Sequence, residues 1–540
     1  MNLKKHEHII QGKTASPGYA IGRIFLGRAL PQPPDRKGDP VWEKKRFTEA
    51  LNTAGAQLER LKSRVDHLGA QILDFQLELI ADYELTGTVF HRIACGQSAV
   101  EAWKTELDVH VSDYLAAVDE DFRARAGDFM DLRDRVISLL YESVTPFVHQ
   151  GPGTIYIADD LAPSRFLEID WSSFRGAALA QGSAANHMAI LARARGVPML
   201  FGLGQAIHEL EDGAQAILDG NGSILIEYPR PKTIRRYENL ISKQSVQMQH
   251  IETFLAKPAY TAKGHHIRIF INVDDPKSLT ELDPRFCDGV GLVRTELMLY
   301  NPEGLPSEEE QYRIYANLLK WADNRPVVIR TLDSGGDKSS DGLASEGERN
   351  PFMGLRGVRL SLVRTKLFRI QLRALARAAA HGPLKVMLPM VTDPKEINQV
   401  RILMNEEVEN LQRRGVAAQM PPLGMMVEVP VAALRIHAFE ADFYSVGSND
   451  LIQFATAACR DCDEVAALYD PLNPAILELI RRVAAHGAAT DKEVSLCGDM
   501  AADPECIPAI LDVGIKSLSV APAALAKVKK AVSQYGKRYG

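Results

Sequence analysis

Six residues with polar, charged or reactive side chains stand at or just beyond the ends of short apolar runs in the C-terminal half of this 540-residue chain. Arg294 ends Gly289-Val-Gly-Leu-Val293, Arg330 ends Val327-Val-Ile329, Glu428 ends Leu423-Gly-Met-Met-Val427 and Cys497 ends Val494-Ser-Leu496. Phe443-Tyr-Ser-Val446 leads through Gly447-Ser448 to Asn449 and Asp450. Guanidinium groups bind phosphate and carboxylate bidentately. Glu428 and Asp450 are hard oxygen ligands suited to a Mg²⁺ that keeps waters and substrate oxygens. Cys497 could serve as proton donor or nucleophile, and Lys338, Arg356 and Arg460 add positive charge nearby. The set suits a small phosphorylated carboxylic acid. One Arg or Glu ending a strand is ordinarily a surface residue, and one Cys in an apolar run is ordinarily core; the convergence carries the argument.

A second centre is His187, in Gln181-Gly-Ser-Ala-Ala-Asn-His-Met-Ala-Ile-Leu-Ala-Arg193. A loop of small residues opening a helix offers backbone N–H groups that stabilise a phosphate, including one carried on an imidazole. The local pattern fits an ordinary packed histidine equally well.

The elements that would position these groups are legible as alternating patterns. With Ile267–Val273, Leu384–Leu388 and Ser517–Val520, the runs above make eight candidate parallel strands separated by helical stretches. The span 262–540 approaches the ~250 residues of a (β/α)₈ TIM barrel, whose active site lies at the carboxyl ends of its strands. Upstream, no proline occurs between Pro40 and Pro146. Leu51, Leu58, Leu61, Val65, Leu68, Ile72, Phe75 and Leu79, then Trp103, Leu107, Val111, Tyr114, Val118 and Phe122, recur at three- and four-residue steps, which predicts a helical bundle. Ala20–Phe25, Gly153–Ala158 and Gly222–Ile226 read as strands, so the bundle is inserted into an α/β domain. Residues 229–255, polar and charged, read as a linker helix.

Composition agrees with a globular multidomain chain: 46% hydrophobic, 24% charged and a formal net charge of −6 give no general reason to expect nucleic acid or an anionic membrane. The N-terminal residues carry no apolar signal core and no stretch is apolar enough to span a bilayer, so a cytoplasmic location is expected. The six cysteines show no disulfide framework. The Cys459/Cys462 pair lacks the partners a structural zinc requires.

Taken together, Leu292-Val-Arg-Thr-Glu-Leu297, Leu305-Pro-Ser-Glu-Glu-Glu-Gln311, Arg330-Thr-Leu-Asp-Ser-Gly-Gly-Asp-Lys338, Asn350-Pro-Phe-Met-Gly-Leu-Arg356, Met426-Val-Glu-Val-Pro430, Ser445-Val-Gly-Ser-Asn-Asp-Leu451 and Cys497-Gly-Asp499 resemble Enzyme I of the phosphoenolpyruvate-dependent phosphotransferase system over nearly the whole chain. The resemblance implies a phosphohistidine swivelling α/β domain (1–30 and 145–228), an inserted helical subdomain that binds an HPr-like phosphocarrier (31–144), a linker helix (229–261) and a phosphoenolpyruvate-binding TIM barrel (262–540). It implies that Arg294, Arg330, Asn449, Asp450 and Arg460 hold phosphoenolpyruvate with help from Lys338 and Arg356, and that Glu428 and Asp450 bind Mg²⁺. Cys497 would protonate the enolpyruvate carbon, His187 would accept the phosphoryl group, and the barrel would form a homodimer.

The chain departs from the family pattern around the histidine. Ala185-Asn186-His187 replaces Thr-Ser-His or Ser-Ser-His, and Asp160-Leu-Ala-Pro-Ser164 replaces Asp-Leu-Thr-Pro-Ser, so two hydroxyls near the imidazole are missing. Phe75-Gln-Leu-Glu-Leu79 stands where a His-Leu run is common in the carrier-binding part. The start at Gly12-Lys-Thr-Ala-Ser-Pro-Gly18 is like the sugar branch of the family. Competing readings are a nucleotide-dependent dikinase or synthase of the same superfamily, for which no nucleotide-grasp segment is available, and a regulatory phosphoenolpyruvate- or carrier-binding protein with weak transfer activity.

Overall fold

The computed structural model describes residues 6–27, 39–62, 64–65, 67–115, 120–141, 153–181, 187–279, 282–296, 298, 306–333, 350–459 and 465–536. They form two compact units, 1–246 and 247–540.

In the first unit, strands β1 (His8–Gln11), β2 (Lys13–Ser16), β3 (Tyr19–Leu26), β4 (Thr154–Ala158), β5 (Phe174–Leu179), β6 (Met199–Phe201), β7 (Gln215–Asp219) and β8 (Ile224–Glu227) make one sheet in the order β1-β8-β7-β3-β4-β5-β6-β2. Strands β3 to β6 are parallel neighbours, while β1, β8, β7 and β2 join antiparallel. The central β4, Thr-Ile-Tyr-Ile-Ala, is buried along its whole length, which is why it is a near-continuous apolar run instead of an alternating one.

Between β3 and β4 lie helices α1 (Pro40–Lys62), α2 (His67–Ala81), α3 (Tyr83–Ala94), α4 (Ala99–Leu115) and α5 (Glu120–Leu140). Helix α1 buries Phe47, Ala50, Leu51, Ala54 and Leu58, and α4 buries Trp103, Leu107 and Val111, each a single apolar stripe. The stripe that runs from Leu51 to Leu79 in the sequence is carried by two helices, α1 and α2, with Val65 in the turn between them, and Val118 of the second stripe lies outside the described residues. Asp82 caps α3, its carboxylate accepting from the N–H groups of Glu84 and Leu85. A buried polar cluster ties the bundle to α6 (Pro163–Glu168): Asp131 of α5 accepts from the Ser164 N–H at 2.9 Å, the Ser164 hydroxyl at 2.7 Å and the Gln76 amide at 2.9 Å.

Helix α7 is His187–Ala194, and α8 is Pro231–Glu252. The N-terminal half of α8 belongs to the first unit. Tyr237 is buried against Ile217 and Ile226, and its hydroxyl donates to Asp219 at 2.7 Å.

The second unit is a closed parallel barrel of β9 (Arg268–Val273), β10 (Val290–Val293), β11 (Val327–Arg330), β12 (Leu384–Leu388), β13 (Leu423–Val427), β14 (Tyr444–Gly447), β15 (Val494–Cys497) and β16 (Ser517–Val520), with β16 pairing back onto β9. These are the eight apolar runs of the sequence, displaced by at most one residue at either end. Inward-facing Leu292, Val328, Met387, Met426, Phe443 and Cys497 pack together inside the barrel. Among the described residues no helix is long and apolar enough to cross a membrane.

Candidate active site

Parallel register brings the carboxyl ends of the barrel strands to one face; Gly447 pairs with Cys497, and Val427 with Val446. At that face Arg294, Arg330, Arg356, Glu428, Asn449, Asp450 and Cys497 line a cavity of about 610 Å³, open mouth included. Lys338 and Arg460 lie outside the described residues, as do Ala185 and Asn186.

Arg330 is the last residue of β11 and 5% exposed. A guanidinium so placed needs countercharge, and it finds Glu296 at 3.0 Å and Asp333 at 3.2 Å. Asp333, 1% exposed, also takes a two-pronged bond from Arg356 at 2.9 and 3.0 Å. Arg356 reaches on to Asp450 at 2.9 Å. Asp333 is thus the shared counterion of two arginines. Glu296 is itself fixed by the Asp333 N–H at 2.8 Å, and Thr295 accepts from Gln371 while donating to the Arg330 carbonyl. Arg294 is more open and pairs with Asp274 at 3.3 Å.

Not every donor is used. Arg330 Nε and Arg356 Nη1 are buried without a hydrogen-bond partner among the described residues. Such groups are costly unless a ligand takes them up.

Glu428 is 1% exposed and accepts from the Met390 N–H at 2.6 Å. Burial, then the neighbouring Asp450 and Asp333 carboxylates, hold its carboxyl well above the usual range despite Arg330 and Arg356. Among the described residues three guanidinium groups face four carboxylates, Asp274, Glu296, Asp333 and Asp450, and the Glu428 carboxyl, whose protonated form is favoured. A cation entering with an anionic ligand would favour the ionised form of Glu428 and offset the carboxylates beside it. The donor set therefore fits a hard divalent ion. Among the described residues no three His, Cys, Asp or Glu side chains form a ready cage, so Glu428 and Asp450 would leave the remaining positions to water and ligand oxygens, the habit of Mg²⁺.

Cys497 is 2% exposed; its thiol lies 3.4 Å from the Val446 carbonyl and 3.6 Å from the Ser445 hydroxyl. Burial pushes the thiol up, against Ser445 and Arg294, which lower it. The protonated form is the stable one. Asn449 is locked by Asp499 on both faces of its amide, accepting from the Asp499 N–H at 2.9 Å and donating to its carboxylate at 3.1 Å. Gly498 makes this possible: its φ is +99°, and a Cβ there would meet Ser448 Oγ at 2.3 Å and Asn449 Oδ1 at 2.7 Å.

His187 is the first residue of α7, whose Met188, Ala189, Leu191 and Ala192 are buried in the core of the first unit. Sequence reasoning gave no role to Glu296 and Asp333. Their signal was present, since each follows a strand-closing arginine within two or three residues, in Arg294-Thr-Glu296 and Arg330-Thr-Leu-Asp333.

Three family descriptions match successive parts of the chain: "PEP-utilising enzyme, N-terminal" over residues 11–125, "PEP-utilising enzyme, mobile domain" over 150–222 and "PEP-utilising enzyme, PEP-binding domain" over 248–536. Proteins named phosphoenolpyruvate-protein phosphotransferase are similar along nearly their whole length. That of Bacillus sp. (strain S) is 33% identical over 542 residues, covering 98% of this chain and 94% of the relative. The Geobacillus stearothermophilus protein is 33% identical with the same coverage, and the Bacillus subtilis (strain 168) protein is 32% identical over 98% of this chain and 95% of its own. With strand-end arginines, acidic pair and thiol held at the mouth of a parallel barrel, and with relatives this similar from end to end, the chain belongs to the phosphoenolpyruvate-protein phosphotransferase family of PEP-utilising enzymes.

Proposed function

We propose that the protein moves the phosphoryl group of phosphoenolpyruvate to its own His187, then to a histidine of a small HPr-like phosphocarrier protein, as the first step of a sugar-type phosphotransferase system. The observation that carries this reading is the pair of buried guanidinium groups, Arg330 and Arg356, each with an unpartnered N–H, in a cavity that also holds a protonated thiol.

In this account the ligand's phosphate and carboxylate engage Arg294, Arg330, Asn449 and Arg460, while Lys338 and Arg356 offset charge. Glu428 and Asp450 would hold Mg²⁺, which when bound spreads the charge of the phosphoryl oxygens. Asp333 keeps both arginine forks in place before the ligand arrives. A neutral His187 imidazole attacks phosphorus in line as the bridging P–O bond breaks. The electron pair passes through the enolate to the methylene carbon, which takes the Cys497 proton to give pyruvate; solvent later reprotonates the thiolate. Residues 1–30 and 145–228 would carry the phosphoryl group away, 31–144 would receive the carrier, and the linker at 229–261 would permit the swing. The barrel, 262–540, would dimerise, and the protein would work in the cytoplasm.

A burst experiment tests the reading. Mixed with phosphoenolpyruvate and Mg²⁺ and no carrier, the protein should release about one pyruvate per chain and stop, because the phosphoryl group is trapped on the imidazole. Continuous release, or no release, would contradict it.

A further inference from the structure

The carboxyl end of β14 holds Cys497 by backbone and side chain alike. Gly447 pairs with Cys497 across the two strands. The Ser448 hydroxyl donates to the Cys497 carbonyl at 2.8 Å, and the Cys497 thiol donates to the Val446 carbonyl at 3.4 Å. Ser445 reaches the sulfur itself, its hydroxyl donating to Cys497 Sγ at 3.6 Å. Side chains alternate along a strand. Tyr444 and Val446 pack with the surrounding helices, whereas Phe443 and Cys497 pack inside the barrel, so Ser445 also faces inward. It is 1% exposed. Cys497 lines the ligand cavity and Ser445 does not, so the hydroxyl acts on the site through the sulfur.

A hydroxyl buried beside the apolar layer of Met387, Met426 and Phe443 costs free energy unless it is well bonded. Among the described residues the hydrogen-bond partner of the Ser445 hydroxyl is the Cys497 sulfur, and a neutral thiol is a weak acceptor. As a contribution to folding the contact is poor. A thiolate is a different partner, because hydrogen bonds to an ionised acceptor are roughly twice as strong as neutral ones. The Ser445 bond therefore strengthens as the proton leaves sulfur, and only an interaction that strengthens on the way to the transition state speeds a reaction. The Val446 carbonyl works the other way: it accepts from the S–H group and has nothing to donate to a thiolate.

We infer that Ser445 is a positioning residue for proton delivery, its hydroxyl holding the Cys497 sulfur and stabilising the thiolate left when the enolpyruvate carbon is protonated. The inference rests on the reading of Cys497 as the acid. In that step the S–H bond breaks and a C–H bond forms at the methylene carbon. The S–H electron pair stays on sulfur, and Ser445 keeps its own proton throughout. Removing the hydroxyl should therefore slow protonation without changing how phosphoenolpyruvate is held.

The test follows the single-turnover burst of pyruvate by rapid quench, using full-length chains and a range of phosphoenolpyruvate concentrations with Mg²⁺. Ser445→Ala should lower the maximal burst rate about tenfold, less than the loss of a closer donor to a developing anion. The half-saturating phosphoenolpyruvate concentration and the melting temperature should stay at wild-type values. In a Cys497→Ala background, adding Ser445→Ala should slow the burst no further, because the hydroxyl acts through a sulfur that is already gone. Cys497→Ala slow with Ser445→Ala within about twofold of wild type would overturn the role of Ser445 while leaving Cys497 as the acid. A loss from Ser445→Ala that is as large without Cys497 as with it would assign the hydroxyl to packing and overturn the inference in the same way. Cys497→Ala at the wild-type rate would overturn both readings.

Discussion

Asp333→Asn is the sharpest probe of the barrel site. The side chain is 1% exposed and takes three contacts from two guanidinium groups, 3.2 Å to Arg330 and 2.9 and 3.0 Å to Arg356. The substitution preserves shape but removes the charge, and turns one acceptor oxygen into an N–H donor facing another donor. Two buried cations then share too little countercharge, although Glu296 still serves Arg330 and Asp450 still serves Arg356. Removing one partner from a buried ion pair costs about 3–5 kcal/mol. For a domain of this size that corresponds to a fall in the barrel's melting temperature on the order of 10 °C. Differential scanning calorimetry reads it directly, with Glu478→Gln, at an exposed ion pair with Arg481 and Arg482, as a control that should leave the transition unmoved. Phosphoenolpyruvate with Mg²⁺ should restore part of the loss, because it binds the folded state alone. A barrel transition within a degree or two of wild type would refute the view that Asp333 supplies the two guanidinium groups with countercharge that Glu296 and Asp450 do not replace.

Other consequences follow from the same geometry. Cys497→Ala should slow pyruvate release by about 10²-fold or more while leaving phosphoenolpyruvate affinity, measured by calorimetry, near wild type. Because burial raises the Cys497 thiol, the folded protein holds that proton more tightly than the unfolded chain does. The associated stability is present below the thiol's unfolded pKa, about 8.5, and is lost as pH climbs through the higher folded value. Accordingly, turnover should not fall between about pH 8 and 9 for want of the thiol proton, and iodoacetamide at about pH 8 should modify the exposed Cys95 and Cys459 well before Cys497. Gly498→Ala should raise KM for phosphoenolpyruvate, since a Cβ at φ +99° would displace Ser448 and Asn449. Chelating Mg²⁺ should weaken phosphoenolpyruvate binding, as the Glu428 and Asp450 carboxyl groups then face the anionic ligand without the cation.

The barrel was legible because each of its strands is a short apolar run buried on both faces, and because a strand-closing residue of a parallel barrel has one direction to face. That is why Arg294, Arg330, Glu428 and Cys497 could be placed from sequence. The first unit was less legible. β1 pairs with β8 more than two hundred residues away, His8 opposite Glu227, and β6 is three residues long, so neither carries a local period. Glu296 and Asp333 escaped for a different reason. Asp333 sits three residues after Arg330, which it pairs with, but the pairs of Glu296 with Arg330 and of Asp333 with Arg356 form only when β10, β11 and the stretch around Arg356 are brought together.

The central claim is that His187 carries the phosphoryl group, and mapping the phosphorylated residue tests it most directly. After incubation with labelled phosphoenolpyruvate and Mg²⁺, the wild-type chain should hold an acid-labile, base-stable label on a peptide containing His187, and His187→Ala should hold none. A label that persists in His187→Ala, or one that resists acid, would contradict the account.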